Sequence, residues 1–113
     1  MPAAAPMGVG LVGYGLAGRS FHAPFITAVD GLTLRAIATK DPDRRARAVA
    51  EHPEADLVAD VDALLGRTDI DLVVVATPNR FHVPIAMAAL SSGRHVVVDK
   101  PMAMDVGEAE RLI

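Results

Sequence analysis

The spacing G-x-G-x-x-G occurs twice near the start of the chain. Gly8, Gly10 and Gly13 fit it, and so do Gly13, Gly15 and Gly18. Such a loop can cradle a pyrophosphate, provided that a strand leads into it and a helix opens out of it. Only Pro6-Met7 precedes Gly8, and another glycine turn follows Gly13, so the first register lacks both partners. In the second, the apolar run Val9–Val12 supplies the strand and Leu16 onward the helix, with Tyr14 and Ala17 at the variable positions. Gly13 then makes the tight turn, Gly15 admits the pyrophosphate, and Gly18 lets helix and strand pack closely. The helix N-terminus adds unpaired N–H groups and the positive end of its dipole. No G-K-[ST] follows, which excludes a P-loop. A methyltransferase loop and a ligand-free glycine turn remain as alternatives.

A dinucleotide reading directs attention to the end of the next strand, about 20 residues on. There an acid binds the ribose of NAD, whereas cations accommodate the extra phosphate of NADP. The strand ends in Thr39-Lys40, so a hydroxyl and an ammonium stand where the carboxylate is usual, with Arg44 or Arg45 in reserve. NADP is therefore expected ahead of NAD. Asp41 is the competing acid, but Pro42 after it marks Asp41 as a helix cap.

Two further polar clusters end apolar runs: Ala76-Thr77-Pro78-Asn79 after Leu72–Ala76, and Asp99-Lys100-Pro101 after His95–Val98. Ligands of α/β sheets bind beyond such carboxyl ends. Lys100 otherwise reads as a surface lysine before a turn. His82 reads as a helix-start cap, His22 as a structural residue inside the first helix, and His95 as part of a strand.

Three nearly unbroken apolar runs, Val9–Val12, Leu72–Ala76 and His95–Val98, predict strands buried on both faces, as in parallel sheets. Leu32–Ala38 is a fourth strand and Leu57–Ala59 a weak fifth. Helices are expected at Leu16–Val29 with a kink or break at Pro24, from Asp41-Pro42, over residues 61–66, at Val83–Leu90 and from Asp105. Gly93 suits the left-handed C-cap of the fourth helix, and Asp105 with Glu108 forms a capping box for the last. This alternation predicts a doubly wound α/β sheet, a Rossmann fold, over residues 7–113, preceded by a frayed arm at 1–6. The last helix ends on Leu112-Ile113 without a stop signal, so the domain is expected to be cut short.

A chain of 113 residues accommodates one domain. With a net charge of −3 and its eleven Lys and Arg scattered, no concentrated positive face is expected for nucleic acid. One Tyr and three Phe cannot build a base-stacking platform. The absence of cysteine excludes disulfides and thiolate chemistry and fits a reducing cytoplasm. No apolar run approaches the roughly 20 residues of a membrane span.

Three segments together resemble the N-terminal domain of the Gfo/Idh/MocA oxidoreductases. They are Gly13-Tyr-Gly-Leu-Ala-Gly18 with His22 behind it, Ala76-Thr-Pro-Asn-Arg-Phe-His82, and Gly93-Arg-His-Val-Val-Val-Asp-Lys-Pro101. The last is the most specific, because the family carries Glu-Lys-Pro after its fifth strand. Asp99 replaces that Glu, keeping its charge with one methylene less of reach. The resemblance covers residues 7–113. It implies that Lys100 faces nicotinamide and substrate, that Thr77, Pro78 and Asn79 border the cofactor ribose, and that His82 sits near the same rim. It also implies hydride transfer between NADP(H) and a sugar, polyol or related carbonyl compound, with a second domain completing the substrate pocket. The alternative is a non-catalytic dinucleotide-binding module or a truncated remnant. A sheet edge and apolar helix face without their usual cover predict self-association.

Overall fold

The apolar runs at Val9–Val12 and Leu72–Val75 form strands buried on both faces, as expected, whereas the strand at His95–Val98 lies at the sheet edge with His95 and Val97 exposed, so two-sided burial does not hold there. The computed structural model describes residues 6–99 and 106–113, apart from the side chains of Asn79, Glu108 and Ala109. Strands β1 (Met7–Val12), β2 (Leu32–Ala38), β3 (Asp56–Val58), β4 (Leu72–Val75) and β5 (His95–Val98) form one sheet in the order β3-β2-β1-β4-β5. Every pairing is parallel. On one face Val9, Leu11, Leu34, Ile37 and Val74 pack with Tyr14, Ala23, Ile26 and Ala48. On the other, Val12, Ala36, Ala38, Val73 and Val75 pack with Leu64, Ile70 and Ala89. The expected doubly wound fold is the observed one.

The helices are α1 (Ala23–Ala28), α2 (Pro42–Glu51), α3 (Val61–Leu65), α4 (His82–Ser91) and α5 (Val106–Leu112). Asp41 caps α2, its Oδ1 accepting from the N–H groups of Asp43 and Arg44 at 2.9 and 3.1 Å. Asp60 caps α3 through Ala63 N–H at 2.8 Å. Gly93 has φ +83°, the left-handed conformation expected after α4. The first helix differs from expectation. It opens at Leu16 and, instead of kinking or breaking at Pro24, runs through a π-helical turn at Gly18–His22 before becoming α1. Pro24 has no N–H to give to an α-type bond, and the turn before it is already widened, with Ala23 N–H bonding Gly18 O. Asp105 of the expected capping box lies outside the described residues, as does the Glu108 side chain.

The first glycine register has a packing role instead. Gly10 lies inside β1, where a Cβ would stand 2.7 Å from Leu64 Cδ2, and a Cβ at Gly8 would collide with the Asp69 carbonyl oxygen. Both glycines therefore let the strand pass close under its neighbours. Another tie joins the start of the first helix to the end of α2. Tyr14 Oη donates to Glu51 Oε1 at 2.7 Å, and Arg19 donates to both Glu51 oxygens at 2.9 and 3.0 Å. These donors, the Arg19 bonds foremost, hold the Glu51 carboxyl down at about 2. Burial, then the Glu51 bond, pushes the Tyr14 phenol up.

Two outcomes are expected. Gly10→Ala should lower stability by about 1–3 kcal/mol in urea melts, because Leu64 must shift to admit a methyl. Glu51 has a depressed folded pKa, so its contribution is complete above its ordinary 4.5 and disappears as pH falls toward about 2. The wild-type protein should therefore exceed Glu51→Gln in stability at neutral pH, and the gap should close over that acid window.

Candidate dinucleotide site

Chain order along the sheet reverses between β1 and β4, and the crevice beyond their carboxyl ends is where such sheets bind ligands. A cavity of about 760 Å³ opens there, bounded by Gly13, Gly15 and Leu16 after β1, Thr39, Lys40, Asp41 and Arg44 after β2, and Ala76, Thr77 and Pro78 after β4. The ends of β1, β2 and β4 named in the sequence thus meet at one place.

Gly13 turns with φ +98°, and its N–H bonds Ala38 O at 2.8 Å. A side chain there would be strained, and its Cβ would stand 2.7 Å from the Ala76 carbonyl oxygen. A Cβ on Gly18 would overlap the Gly13 carbonyl, so the helix can press against the loop only as glycine. Gly15 faces the open cavity, with the Arg44 guanidinium carbon 3.5 Å from where its Cβ would be. Leu16 is 76% exposed on the cavity lip.

Some predicted residues are placed differently. Tyr14 is buried in the core against Ala23 and Ile26, with its ring edge-on to His52, so its side chain is turned away from the cleft. Ala17 stands in the opening turn of the helix and is not among the residues bounding the cavity. His82 is no cap: it is buried, with Nε2 2.8 Å from Thr77 O, where it supports the loop after β4 from beneath. Asn79 begins a short 3₁₀ turn, Asn79–Phe81. Asp99 follows β5, its N–H bonded to Val75 O at 3.0 Å and its carboxylate 3.6 Å from His22 Nε2. Lys100 and Pro101 lie outside the described residues.

The two arginines of α2 part company. Arg45 is committed to backbone, donating from Nη1 to Thr39 O at 2.8 Å and Val58 O at 3.2 Å. Arg44 borders the cavity with Lys40, and among the described residues neither is in an ion pair. Asp41, which also borders the cavity, accepts the α2 cap bonds on its Oδ1. Sequence reasoning missed the far wall, Ala59–Asp62 with Phe81 and Ile85. The available signal was the position of Asp60-Val-Asp62 just past a strand. Among the described residues, no cluster of three or more His, Asp or Glu can hold a metal ion, and no helix is long and apolar enough to cross a membrane.

A dinucleotide fits these residues on observations of the cleft itself. Gly15 leaves the loop open to a phosphate, the helix beginning at Leu16 presents N–H groups without intrahelical acceptors, and cations stand at the β2 end. Among the described residues, Thr77 Oγ1 is a buried side-chain oxygen with no hydrogen-bond partner, and it stands at the cleft. Such a group is costly unless something bonds it.

The profile of the oxidoreductase family with an NAD-binding Rossmann fold, Gfo/Idh/MocA, matches residues 7–113. IolW of Bacillus subtilis (strain 168), a scyllo-inositol 2-dehydrogenase (NADP(+)), is 35% identical over 104 residues, which cover 92% of this chain and 28% of IolW. The crystal structure of GenD2 from gentamicin A biosynthesis, in complex with NAD, superposes with a TM-score of 0.89 at 32% identity, covering 96% of this chain and 31% of GenD2. KijD10 from Actinomadura kijaniata, a 3-ketoreductase in complex with NADP and TDP-benzene, gives 0.86 at 34% identity, covering 95% and 33%. The chain spans less than a third of the curated relatives it matches, 29% of the first and 28% of the second. It belongs to the Gfo/Idh/MocA oxidoreductases, and the part of them it carries is the fold that binds a nicotinamide dinucleotide.

Proposed function

We propose that this chain binds NADP(H) in preference to NAD(H), and that residues 7–113 act as the cofactor domain of an enzyme acting on a sugar, polyol or related carbonyl compound. The observation that carries the cofactor choice is the end of β2. Thr39, Lys40 and Arg44 border the cavity there, outnumbering Asp41, whose Oδ1 accepts the α2 cap bonds. A 2′-phosphate would meet an ammonium, a guanidinium and a hydroxyl. IolW and KijD10, whose names carry NADP, favour the same choice, and GenD2 with NAD is the counter-example. The polyol of IolW and the ketone of KijD10 favour the substrate class.

The bound cofactor supplies or accepts the hydride. The protein's part is orientation. Gly13, Gly15 and Leu16 hold the pyrophosphate through backbone, Gly18 keeps the helix pressed on that loop, and Ala76, Thr77, Pro78 and Asn79 border the ribose, with Thr77 Oγ1 gaining its missing partner. His82 acts from below by supporting Thr77. Asp99 follows β5, and Lys100 is the residue that would face nicotinamide and substrate, where its ammonium would orient the substrate oxygen and ease its proton loss.

Calorimetry tests the first claim. NADPH should bind about tenfold to hundredfold more tightly than NADH, the equivalent of charge-assisted contacts of about 1.5–3 kcal/mol. Lys40→Ala and Arg44→Ala should each erode that preference while leaving NADH affinity nearly unchanged. Equal affinities, or tighter NADH, would sink the assignment of these residues. In a full-length family polypeptide carrying this domain, Lys100→Ala should cut kcat by about 10²–10⁴-fold with cofactor affinity preserved. Undiminished turnover in steady-state assays would remove Lys100 from the chemistry.

A further inference from the structure

Between Gly13, whose φ is +98°, and Gly15 the loop has a single residue, Tyr14. Glycines on both sides give the backbone wide torsional freedom there. The Tyr14 ring is buried and packs edge-on against His52, with ring centres 5.9 Å apart. Its hydroxyl donates to Glu51 Oε1 at 2.7 Å, which ties the loop to the last residue of α2. Glu51 reaches the loop by a second route. Arg19 donates from Nε and Nη2 to the two carboxylate oxygens at 2.9 and 3.0 Å, a bidentate pair, and the Arg19 backbone N–H bonds Gly15 O at 2.9 Å. One carboxylate thus holds Tyr14 inside the loop and, through Arg19, the carbonyl of Gly15.

Helix α2 is a fixed post for such an anchor. Asp41 caps its first turn, Arg45 bonds Thr39 O and Val58 O, and Ala48 is buried in the core. Holding a phosphate through backbone N–H groups requires those groups to be aimed beforehand, since ordering them on binding subtracts from affinity. Gly13 and Gly15 have no torsional preference that would aim them. We infer that Glu51 is a positioning residue for the pyrophosphate: held at the end of α2, its carboxylate fixes Tyr14 and Arg19 and so pre-orders the glycine loop. This rests on the function proposed above. Glu51 is not among the residues bounding the cavity and touches no cofactor in this role. It also acts differently from Lys40 and Arg44, which would read the 2′-phosphate. The pyrophosphate is common to NADPH and NADH, so Glu51 serves both alike.

Adenosine 2′-monophosphate, which carries the 2′-phosphate without the pyrophosphate, separates this role from general support of the fold. The variants are compared where far-UV circular dichroism shows them fully folded. Glu51→Ala should weaken NADPH and NADH by the same factor, about three- to tenfold, and change adenosine 2′-monophosphate by less than about twofold. Tyr14→Phe removes only the hydroxyl and should also weaken both dinucleotides, and the double variant should lose less than the product of the single losses. Glu51→Gln keeps an acceptor for Tyr14 and should regain part of the affinity. Equal losses for all three ligands would mean that Glu51 only supports the fold, and unchanged affinities that the loop does not need it; each result overturns the inference. A second arm needs no ligand. The Arg19 amide hydrogen, bonded to Gly15 O, should exchange faster in Glu51→Ala by a larger factor than the amides of β4, which follow global stability. Equal acceleration refutes the anchoring itself. If Glu51→Ala fails to fold, Tyr14→Phe carries both arms. Should the anchoring hold while the wild-type chain binds none of the three ligands, the dinucleotide reading fails and takes the pyrophosphate role with it.

Discussion

Three backbone segments meet above β1 with no room for a side-chain carbon between them. The Gly18 Cα faces the Gly13 carbonyl, and the Gly13 Cα faces the Ala76 carbonyl. That stack joins the start of the first helix, the turn after β1 and the end of β4. Its closeness sets the helix N-terminus over the switch point instead of beside it. Close approach here decides the site, because N–H groups and a helix dipole lose their hold on an anion within about one turn. The remaining contacts of the region keep this stack in place. Tyr14 and Arg19 anchor the helix to Glu51 on α2, and His82 supports Thr77 behind β4.

The sheet beneath is a rigid platform because both of its faces are covered. Alternate residues of β1 and β4 enter opposite cores, so neither strand can slip by one residue without moving its whole apolar set to the wrong side. The parallel pairing then brings all the carboxyl ends to one rim, and residues from 13 to 99 contribute to it. Loops form that rim, and their side chains differ in whether they are already bonded. Arg45, bonded to two carbonyls, is structural; Arg44, one residue earlier, is available. Helical geometry separates adjacent side chains by about 100°, and the Asp41 cap with Pro42 fixes which of the two looks into the cleft.

Legibility in the sequence followed range of interaction. The strands β1 and β4 were readable because two-sided burial leaves an unbroken apolar run, and the α2 start because Asp41-Pro42 is a local signal; β5 was readable from its apolar run although, at the sheet edge, it is not buried on both faces. The glycine register was readable from the strand before and the helix after. Tyr14 was not, since its direction depends on how the turn at Gly13 rotates the next residue, and that turn packs against Ala76, far along the chain. The π-helical turn was equally hidden: Pro24 announces a lost N–H, but kink, break and widened turn all accommodate it. The far wall at Ala59–Asp62 exists only because β3 lies beside β2. His82 looked like a cap by position, whereas burial makes it a prop for the Thr77 loop. No local pattern pairs His22 with Asp99, 77 positions apart by subtraction of the two residue numbers.

The central claim is that the crevice between β1 and β4 holds the dinucleotide. Titrating the isotopically labelled chain with NADPH and following its backbone amides tests it most directly. Resonances of Gly13–Gly18, Thr39–Arg44 and Ala76–Thr77 should move together along one saturation curve. The opposite end of the sheet offers another cavity, about 500 Å³, bordered by Met7, Asp71 and Gly93–His95. Shifts concentrated there, with the glycine loop unmoved, would contradict the account.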